Sequence, residues 1–324
     1  MLKVQDLNIA LSRPGGEVTI VRDVSFDLAS GRSLGIVGES GSGKSMTALA
    51  LMRLLPEAIH AGGTVSLAGE NLLALGEEEM CAVRGNKIAM IFQEPMTSLN
   101  PLHTIGRQVA EPLMLHKGME RGAARQEAIR LLDRVGIPDA ARRFSVHPHQ
   151  LSGGQRQRVM IAIALSCSPR VLIADEPTTA LDVTVQRQIL DLLRELVSET
   201  GMSLILISHD LGVIGEMVDD MLVMYGGRVV ERGGVERVFH APGHPYTRRL
   251  LEAIPRFGMG RDERLKTIPG SIPEAGYSAQ SCIFADRCDL AGADCQRGVP
   301  PQIMLGGDHV VACVRPVRAE GPAP

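Results

Sequence analysis

Hydrophobic and polar residues alternate along the first 30 residues of the chain. Val18, Ile20, Val24, Phe26 and Leu28 recur with a period near two, which predicts strands with one buried face. Residues 171–174 form an unbroken apolar run instead, and residues 33–37 come close to one, a pattern typical of parallel strands buried on both faces. The pattern therefore predicts an N-terminal antiparallel β subdomain followed by a parallel α/β core.

Between residues 93 and 150 the period changes to that of an amphipathic helix. One stripe contains Ala128, Ile129, Leu131, Leu132 and Val135. Five prolines are expected to divide this region into separate helices: Pro95, Pro101, Pro112, Pro138 and Pro148. Farther on, residues 221–225 and 228–231 flank Gly226-Gly227, which predicts a β-hairpin.

These patterns divide the chain into two predicted domains. Residues 1–255 form an α/β domain with a helical subdomain inserted at about residues 94–160. After Pro255 the composition changes to glycine, proline and cysteine, so residues 256–324 are expected to form a small appended domain.

Composition and charge narrow the range of possible functions. Of 324 residues, 44% are apolar and only 3% aromatic, which suits a core packed by aliphatic side chains. The net charge is −3, with 34 basic against 37 acidic residues and no large basic cluster, so nucleic acid is disfavoured as the main partner. The chain begins without a basic and apolar leader and contains no run of about eighteen apolar residues. We expect a soluble, unexported protein.

A glycine-rich segment joins the apolar residues 33–37 to a helix-like segment at residues 46–52. It consists of Gly38, Glu39, Ser40, Gly41, Ser42, Gly43, Lys44 and Ser45. Strand, glycine-rich loop and helix in this order are the setting of a phosphate-binding P-loop, in which backbone N–H groups and the helix start face phosphate oxygens. We expect Lys44 to reach the β- and γ-phosphates of a nucleotide and the Ser45 hydroxyl to bind Mg²⁺.

Two further segments suit the same chemistry. Asp175 ends the apolar run at residues 171–174 and is expected to hold Mg²⁺ through water, while Glu176 suits a general base for attack on the γ-phosphate. Upstream, Leu151 is followed by Ser152, Gly153, Gly154 and Gln155 and then by a helical pattern. Ser152 occupies the N-cap position, and the glycines leave the first helix amides open to an anion.

The order of these motifs resembles the ATP-binding cassette (ABC) family. The resemblance implies a P-loop NTPase fold in which two cassettes clamp ATP, with residues 152–155 of one cassette meeting the nucleotide held by the other. It also implies that Gln93 senses Mg²⁺ and the attacking water and that His209 contacts the γ-phosphate. Leu11 stands where cassettes usually carry an aromatic residue that stacks on adenine.

Four of the six cysteines lie near the end of the chain, at Cys282, Cys288, Cys295 and Cys313. Thiols in a cytosolic segment favour metal over disulfides, but the spacing leaves zinc, an iron–sulfur cluster and a metal-free loop domain all open. Together with residues 244–247 and 267–273, this tail resembles the C-terminal extension of cassettes that serve peptide, nickel and glutathione importers. Some of these hold a 4Fe–4S cluster, and the resemblance implies one here.

The resemblance implies an ATP-hydrolysing subunit of a bacterial importer for di- or oligopeptides. Such a subunit lies on the cytoplasmic face of the inner membrane, with a second cassette, two permease subunits and, indirectly, an extracytoplasmic solute-binding protein as partners. A nickel or glutathione importer is the nearest alternative. A soluble cassette acting on DNA or ribosomes would carry coiled-coil insertions or tandem cassettes, and an exporter's cassette would not be expected to carry the cysteine tail.

Overall fold

The structure is a computed structural model that describes residues 1–94, 98–179, 181–254, 267–272 and 280–317. The chain forms two compact units. The first contains Met1–Leu28, Ser33–Leu73 and Ile207–Pro324, and the second contains Ala29–Arg32 and Ala74–Leu206. The domain boundary expected between residues 255 and 256 falls within residues 255–266, which lie outside the described residues, so it stays a prediction.

The first unit contains the predicted antiparallel β subdomain. Its strands are β1 (Leu2–Arg13), β2 (Gly16–Leu28), β4 (Ile59–Leu67) and β5 (Glu70–Asn71), in the order β2-β1-β4-β5. Leu2 lies opposite both Leu28 and Leu67, and all three are buried. The alternation read from the sequence therefore gives a sheet with one buried face, as expected.

The first unit also contributes five strands to a second sheet. These are β3 (Ser33–Val37), β9 (Asp220–Tyr225), β10 (Arg228–Gly234), β11 (Gln302–Gly306) and β12 (His309–Ala312), in the order β3-β9-β10-β12-β11. Strands β3 and β9 are parallel, and the other pairs are antiparallel. The predicted hairpin between β9 and β10 is confirmed, with Gly226 and Gly227 at φ 53° and 81°.

Short helices accompany these strands. They are α1 (Lys44–Leu51), α8 (Leu211–Met217), α9 (Val235–His240) and α10 (Pro245–Glu252), with 3₁₀ turns at Ala285–Arg287 and Ala293–Gln296.

The second unit combines three strands with most of the helices. The strands are β6 (Ile88–Ile91), β7 (Val171–Asp175) and β8 (Ser203–Ile207), with β7 in the middle and parallel to β6. The helices are α2 (Glu77–Val83), α3 (Ile105–Lys117), α4 (Arg121–Arg134), α5 (Ala140–Arg143), α6 (Gly153–Leu165) and α7 (Val183–Thr200). Every residue of β7 and β8 is buried, and for β7 this is what the unbroken apolar run at residues 171–174 predicts.

Helix α7 shows how local sequence signals set an element. Its N-cap Asp182 accepts a hydrogen bond from the Val185 backbone N–H at 3.0 Å, and it ends before Gly201 at φ 65°. Between these ends it buries Ile189, Leu193 and Leu196, which recur at helical spacing. No helix within the described ranges is long and apolar enough to cross a bilayer.

The expectation that Pro112 separates two helices is wrong, because Pro112 lies inside α3. A proline in a helix interior removes one backbone hydrogen bond, at a cost of about 3 kcal/mol. Burial of Ile105, Val109 and Leu113 along one side of α3 offsets that cost.

A buried carboxylate joins β10 to the C-terminal strands. Glu231 is 1% exposed and accepts hydrogen bonds from His309 Nε2 at 2.7 Å and from the backbone N–H groups of Gly243 at 2.5 Å and His244 at 2.8 Å. Hydrogen bonds to a buried charged group are costly to break, because the partners are left without water.

We expect Glu231→Ala to lower the free energy of unfolding by about 3 kcal/mol or more, since three buried donors lose their acceptor. Urea denaturation measures the change, with the exposed Glu57 replaced by alanine as the matched control. A loss no larger than that of the Glu57 variant would show that this cluster does not stabilise the fold.

Candidate functional site

The predicted P-loop runs from the end of β3 to the start of α1, as the strand, loop and helix order requires. Gly38 has φ 150°, and a Cβ atom there would overlap the Met224 carbonyl oxygen. Gly43 has φ 99°, and its Cβ would lie 2.8 Å from Val21 Cγ2. Both positions therefore exclude a side chain, and the glycines keep the loop close to its neighbours.

Lys44 is folded against its own loop. Its Nζ donates hydrogen bonds to the carbonyl oxygens of Gly38 at 2.7 Å and Glu39 at 3.0 Å, and the residue is 6% exposed. The Ser42 N–H also donates to the Glu39 carbonyl oxygen, at 3.2 Å. The loop thus encircles a single ammonium group, while Ser40 and Gly41 remain exposed and Ser45 is half-buried.

Glu176 lies in the second unit together with Gln93. Its Oε2 accepts hydrogen bonds from Gln93 Nε2 at 3.2 Å and from Thr179 Oγ1 at 2.8 Å. Gln93 follows β6 and Glu176 follows β7, so the ends of two parallel strands bring these side chains together. The sequence assigned no role to Thr179, which lies three residues after Glu176 and reaches it through a short turn.

The backbone at Glu176 is unusual, with φ 46° in the left-handed region. A residue other than glycine pays of order 1–2 kcal/mol to adopt this conformation. The neighbouring Asp175 is 4% exposed at the last position of β7. The chain thus turns sharply between the two carboxylates, and such strain is found most often at functional positions.

Residues 152–155 begin α6 as the sequence predicts. Ser152 accepts a hydrogen bond from the Gln155 N–H at 3.3 Å, and the Gln155 side chain accepts one from the Ser152 N–H at 3.2 Å. Ser152 is exposed. A Cβ atom at Gly154 would lie 2.6 Å from Val185 Cγ1, so this position packs too tightly for a side chain.

His209 belongs to the first unit, as does the P-loop. It is exposed and follows β8, and the next residue, Asp210, caps α8 by accepting hydrogen bonds from Gly212 N–H at 2.8 Å and Val213 N–H at 3.3 Å. This cap starts a helix directly after His209 and so fixes where its backbone lies.

The four C-terminal cysteines converge. Cys282, Cys288, Cys295 and Cys313 all line one small apolar cavity, and the Cys282 N–H donates to the Cys295 carbonyl oxygen at 2.9 Å. Burial raises the pKa of Cys282 and Cys288, and it raises the pKa of Cys313 to about 11. The raised pKa keeps the thiols of Cys282, Cys288 and Cys313 neutral near pH 7 unless a cation stabilises their thiolates.

Four thiols are a suitable donor set for zinc or an iron–sulfur cluster. The described part of the chain nevertheless contains no three His, Cys, Asp or Glu side chains already arranged to hold a metal ion. Asp289 follows Cys288 and pairs with Arg248 at 2.9 Å and Arg249 at 3.1 Å, which ties this loop to α10. Residues 273–279 of the tail lie outside the described residues.

Sequence reasoning missed two side chains that contact Glu39 and a third that contacts one of them. The Arg287 guanidinium pairs with its carboxylate, and Tyr246 accepts a hydrogen bond from its N–H at 2.9 Å. Tyr225 in turn accepts one from Arg287 at 3.2 Å. No local pattern marks these residues, because they lie about 200 residues or more from Glu39 along the chain.

The sequence matches two known protein families over the regions that contain these site residues. The ABC transporter family matches residues 21–179, which include the P-loop, residues 152–155 and the carboxylates at 175 and 176. The oligopeptide/dipeptide transporter C-terminal region matches residues 230–295, which include three of the four cysteines.

Relatives match over nearly the whole chain. A protein of Brucella abortus (strain 2308), named as a peptide import ATP-binding protein, is 53% identical over 308 residues, covering 95% of this chain and 92% of its own. A Brucella melitensis biotype 1 protein named in the same way is 47% identical over 327 residues, covering 97% of each chain.

Solved structures with the same fold are cassettes. The dimeric cassette MJ0796 in a post-hydrolysis state with ADP and Pi is 28% identical, with a TM-score of 0.65, covering 72% of this chain and 99% of its own. The cbiO1 protein of Clostridium perfringens, part of an ABC transporter complex, is 27% identical with a TM-score of 0.61, covering 74% and 90%. The chain therefore belongs to the ATP-binding cassette transporter family, in the group that carries the oligopeptide/dipeptide transporter C-terminal region.

Proposed function

We propose that this chain is the ATP-hydrolysing subunit of an importer for di- or oligopeptides. The observation that carries the proposal is the presence of both family regions on one chain, the cassette at residues 21–179 and the peptide-transporter region at residues 230–295. The second region favours an importer over an exporter or a soluble cassette acting on DNA or ribosomes. The relatives' names favour peptides over nickel or glutathione.

In this proposal the P-loop binds the triphosphate of ATP. Residues 38–45 offer backbone N–H groups, and Lys44 exchanges its two carbonyl contacts for β- and γ-phosphate oxygens. The Ser45 hydroxyl, Asp175 and Gln93 would hold Mg²⁺, which shields the phosphate charge. The Lys44 geometry supports this role, because its ammonium group already lies inside the loop.

Glu176 is the proposed general base. It takes a proton from the water that attacks the γ-phosphorus, and ADP leaves with the electrons of the broken P–O bond. Gln93 and Thr179 hold the carboxylate in place through their hydrogen bonds to Oε2. His209 would contact the γ-phosphate and stabilise the charge that develops on it.

A second cassette would complete the site. Ser152, Gly153, Gly154 and Gln155 form a helix start of the kind that binds anions, with Ser152 exposed and the other three half-buried, and we propose that they meet ATP held by the partner. The partner would be a second copy of this chain or a sister subunit. Closure of the pair on ATP would drive two permease subunits, fed by a solute-binding protein, with the cassettes on the cytoplasmic face of the inner membrane.

Glu176→Gln should lower the rate of ATP hydrolysis at least about 100-fold and leave ATP affinity unchanged, because only the proton acceptor is lost. Steady-state hydrolysis and equilibrium binding of ATP measure the two effects. Lys44→Ala is the contrasting variant and should weaken binding itself. Hydrolysis at the wild-type rate by Glu176→Gln would show that another group is the base.

The shared site predicts complementation between two inactive variants. Lys44→Ala damages the P-loop, and Ser152→Glu places a negative charge where the partner's nucleotide binds. A mixed dimer keeps one intact site, so an equal mixture should regain up to about a quarter of wild-type hydrolysis. If the mixture stays inactive while the wild-type chain hydrolyses ATP as a dimer, the site is not shared.

For the C-terminal cysteines we propose a 4Fe–4S cluster held by Cys282, Cys288, Cys295 and Cys313. Two observations support it: the four side chains line one cavity, and burial disfavours the thiolates of Cys282, Cys288 and Cys313 in the absence of a cation by raising the pKa of each. The four cysteines would lose their thiol protons on holding such a cluster, which would supply that positive charge.

Anaerobically purified protein should contain iron and sulfide and absorb visible light, and Cys288→Ser should lose most of all three signals. Cys81→Ser is the control, because Cys81 is exposed and does not line the cavity. Stoichiometric zinc, or protein without metal, would show that the site is not an iron–sulfur centre.

A further inference from the structure

The C-terminal extension reaches the P-loop through one arginine. Arg287 Nη1 donates to Glu39 Oε2 at 2.8 Å, and Nη2 donates to Glu39 Oε1 at 3.0 Å. The pair is bidentate, and the Arg287 side chain is only 6% exposed. This is the strongest geometry that an arginine and a carboxylate can adopt, and it fixes direction as well as distance.

The rest of the guanidinium group is also held. Nε donates to the Pro269 carbonyl oxygen at 2.8 Å and Nη2 to the Ile268 carbonyl oxygen at 3.2 Å. Nη1 also donates to the Tyr225 hydroxyl at 3.2 Å. The hydrogen bonds to Glu39 are the main reason that the pKa of Arg287 is raised. Arg287 therefore stays charged and cannot swing freely to another partner.

Glu39 is clamped at three points. Arg287 holds its carboxylate, the Tyr246 hydroxyl accepts from its N–H at 2.9 Å, and its carbonyl oxygen accepts from Lys44 Nζ at 3.0 Å. The Lys44 ammonium group, which we propose reaches the phosphates, thus hydrogen-bonds to Glu39, the residue that Arg287 holds. A shift of Glu39 would move a carbonyl oxygen that positions Lys44.

Three packed aromatic rings hold in place the tyrosines that contact Arg287 and Glu39. The ring centroid of Tyr225 lies 4.7 Å from that of Tyr246 and 5.1 Å from that of Phe284, and Tyr246 and Phe284 lie 5.3 Å apart. The chain has only three tyrosines and no tryptophan, so two of its tyrosines are placed here. All three rings are almost fully buried and pack closely together.

Arg287 is carried by a short turn. The 3₁₀ turn Ala285–Arg287 is closed by hydrogen bonds from Ala285 N–H to the Cys282 carbonyl oxygen at 3.1 Å and from Arg287 N–H to the Phe284 carbonyl oxygen at 3.1 Å. Phe284 starts the turn and packs against both tyrosines, so the backbone that carries Arg287 is itself anchored.

We propose that Arg287 is a positioning residue for nucleotide binding. Through it, the C-terminal extension supports the conformation of the P-loop. Arg287 holds Glu39 and neutralises a carboxylate that would otherwise repel the triphosphate. This inference rests on the proposed function, since it requires that residues 38–45 bind ATP. A residue that served only the stability of the extension would leave ATP affinity unchanged.

The test is equilibrium binding of Mg-ATP, with melting temperature and steady-state hydrolysis measured alongside. Arg287→Gln should weaken ATP binding roughly tenfold and raise KM more than it lowers kcat, because the hydrolytic groups are untouched. Arg287→Lys should recover only part of the affinity, since an ammonium group keeps the charge but cannot form the bidentate pair. Arg297→Gln is the control, because Arg297 is 78% exposed in the same extension and pairs with Asp294, three residues before it.

Glu39→Gln tests the pair from the P-loop side and keeps the inference testable if Arg287→Gln does not fold. The two single changes should be non-additive, so that the double variant binds ATP better than the product of the single effects predicts. Wild-type ATP affinity in folded Arg287→Gln, or fully additive effects, would overturn the inference alone. Failure of the wild-type chain to bind ATP would overturn it together with the proposed function.

Discussion

A backbone path open only to glycine is the constraint on which the nucleotide site depends. Gly38 passes so close to the Met224 carbonyl oxygen of β9 that no Cβ atom fits, and it leaves β3 at φ 150°. Because β3 and β9 are parallel neighbours, the strand pairing sets how the loop leaves the sheet. That path leaves the Gly38 and Glu39 carbonyl oxygens facing Lys44. The position of a single ammonium group thus follows from the packing of two strands.

Buried charged hydrogen bonds, rather than long helices, hold the C-terminal extension in place. Glu231 accepts hydrogen bonds from His309 and two backbone N–H groups. Arg287 donates hydrogen bonds to a carboxylate, a hydroxyl and two carbonyl oxygens. Such clusters contribute modestly when complete and cost several kcal/mol when one partner is lost. An extension with few strands and short 3₁₀ turns can therefore occupy one defined position, next to the P-loop.

One sharp turn points the neighbouring carboxylates of Asp175 and Glu176 in different directions. Asp175 stays at the buried end of β7, whereas the left-handed backbone of Glu176 directs the next side chain toward Gln93 and Thr179. Adjacent residues of an extended strand would point to opposite faces of the sheet. The strained turn points the Glu176 side chain in a different direction, and the two hydrogen bonds to Glu176 Oε2 help to hold that orientation.

Sequence alone determined the elements whose signals are local. Alternation predicted β1 and β2, apolar runs predicted β3 and β7, and the residues around Ser152 predicted the start of α6, since each signal spans a few residues. Pro112 misled because the packing of α3 outweighs a local preference. Only the tertiary structure joined Glu39 to Arg287, 248 residues away, and brought four cysteines to one cavity. Periodicity and caps report on neighbours along the chain, whereas these contacts depend on how distant strands and turns pack together.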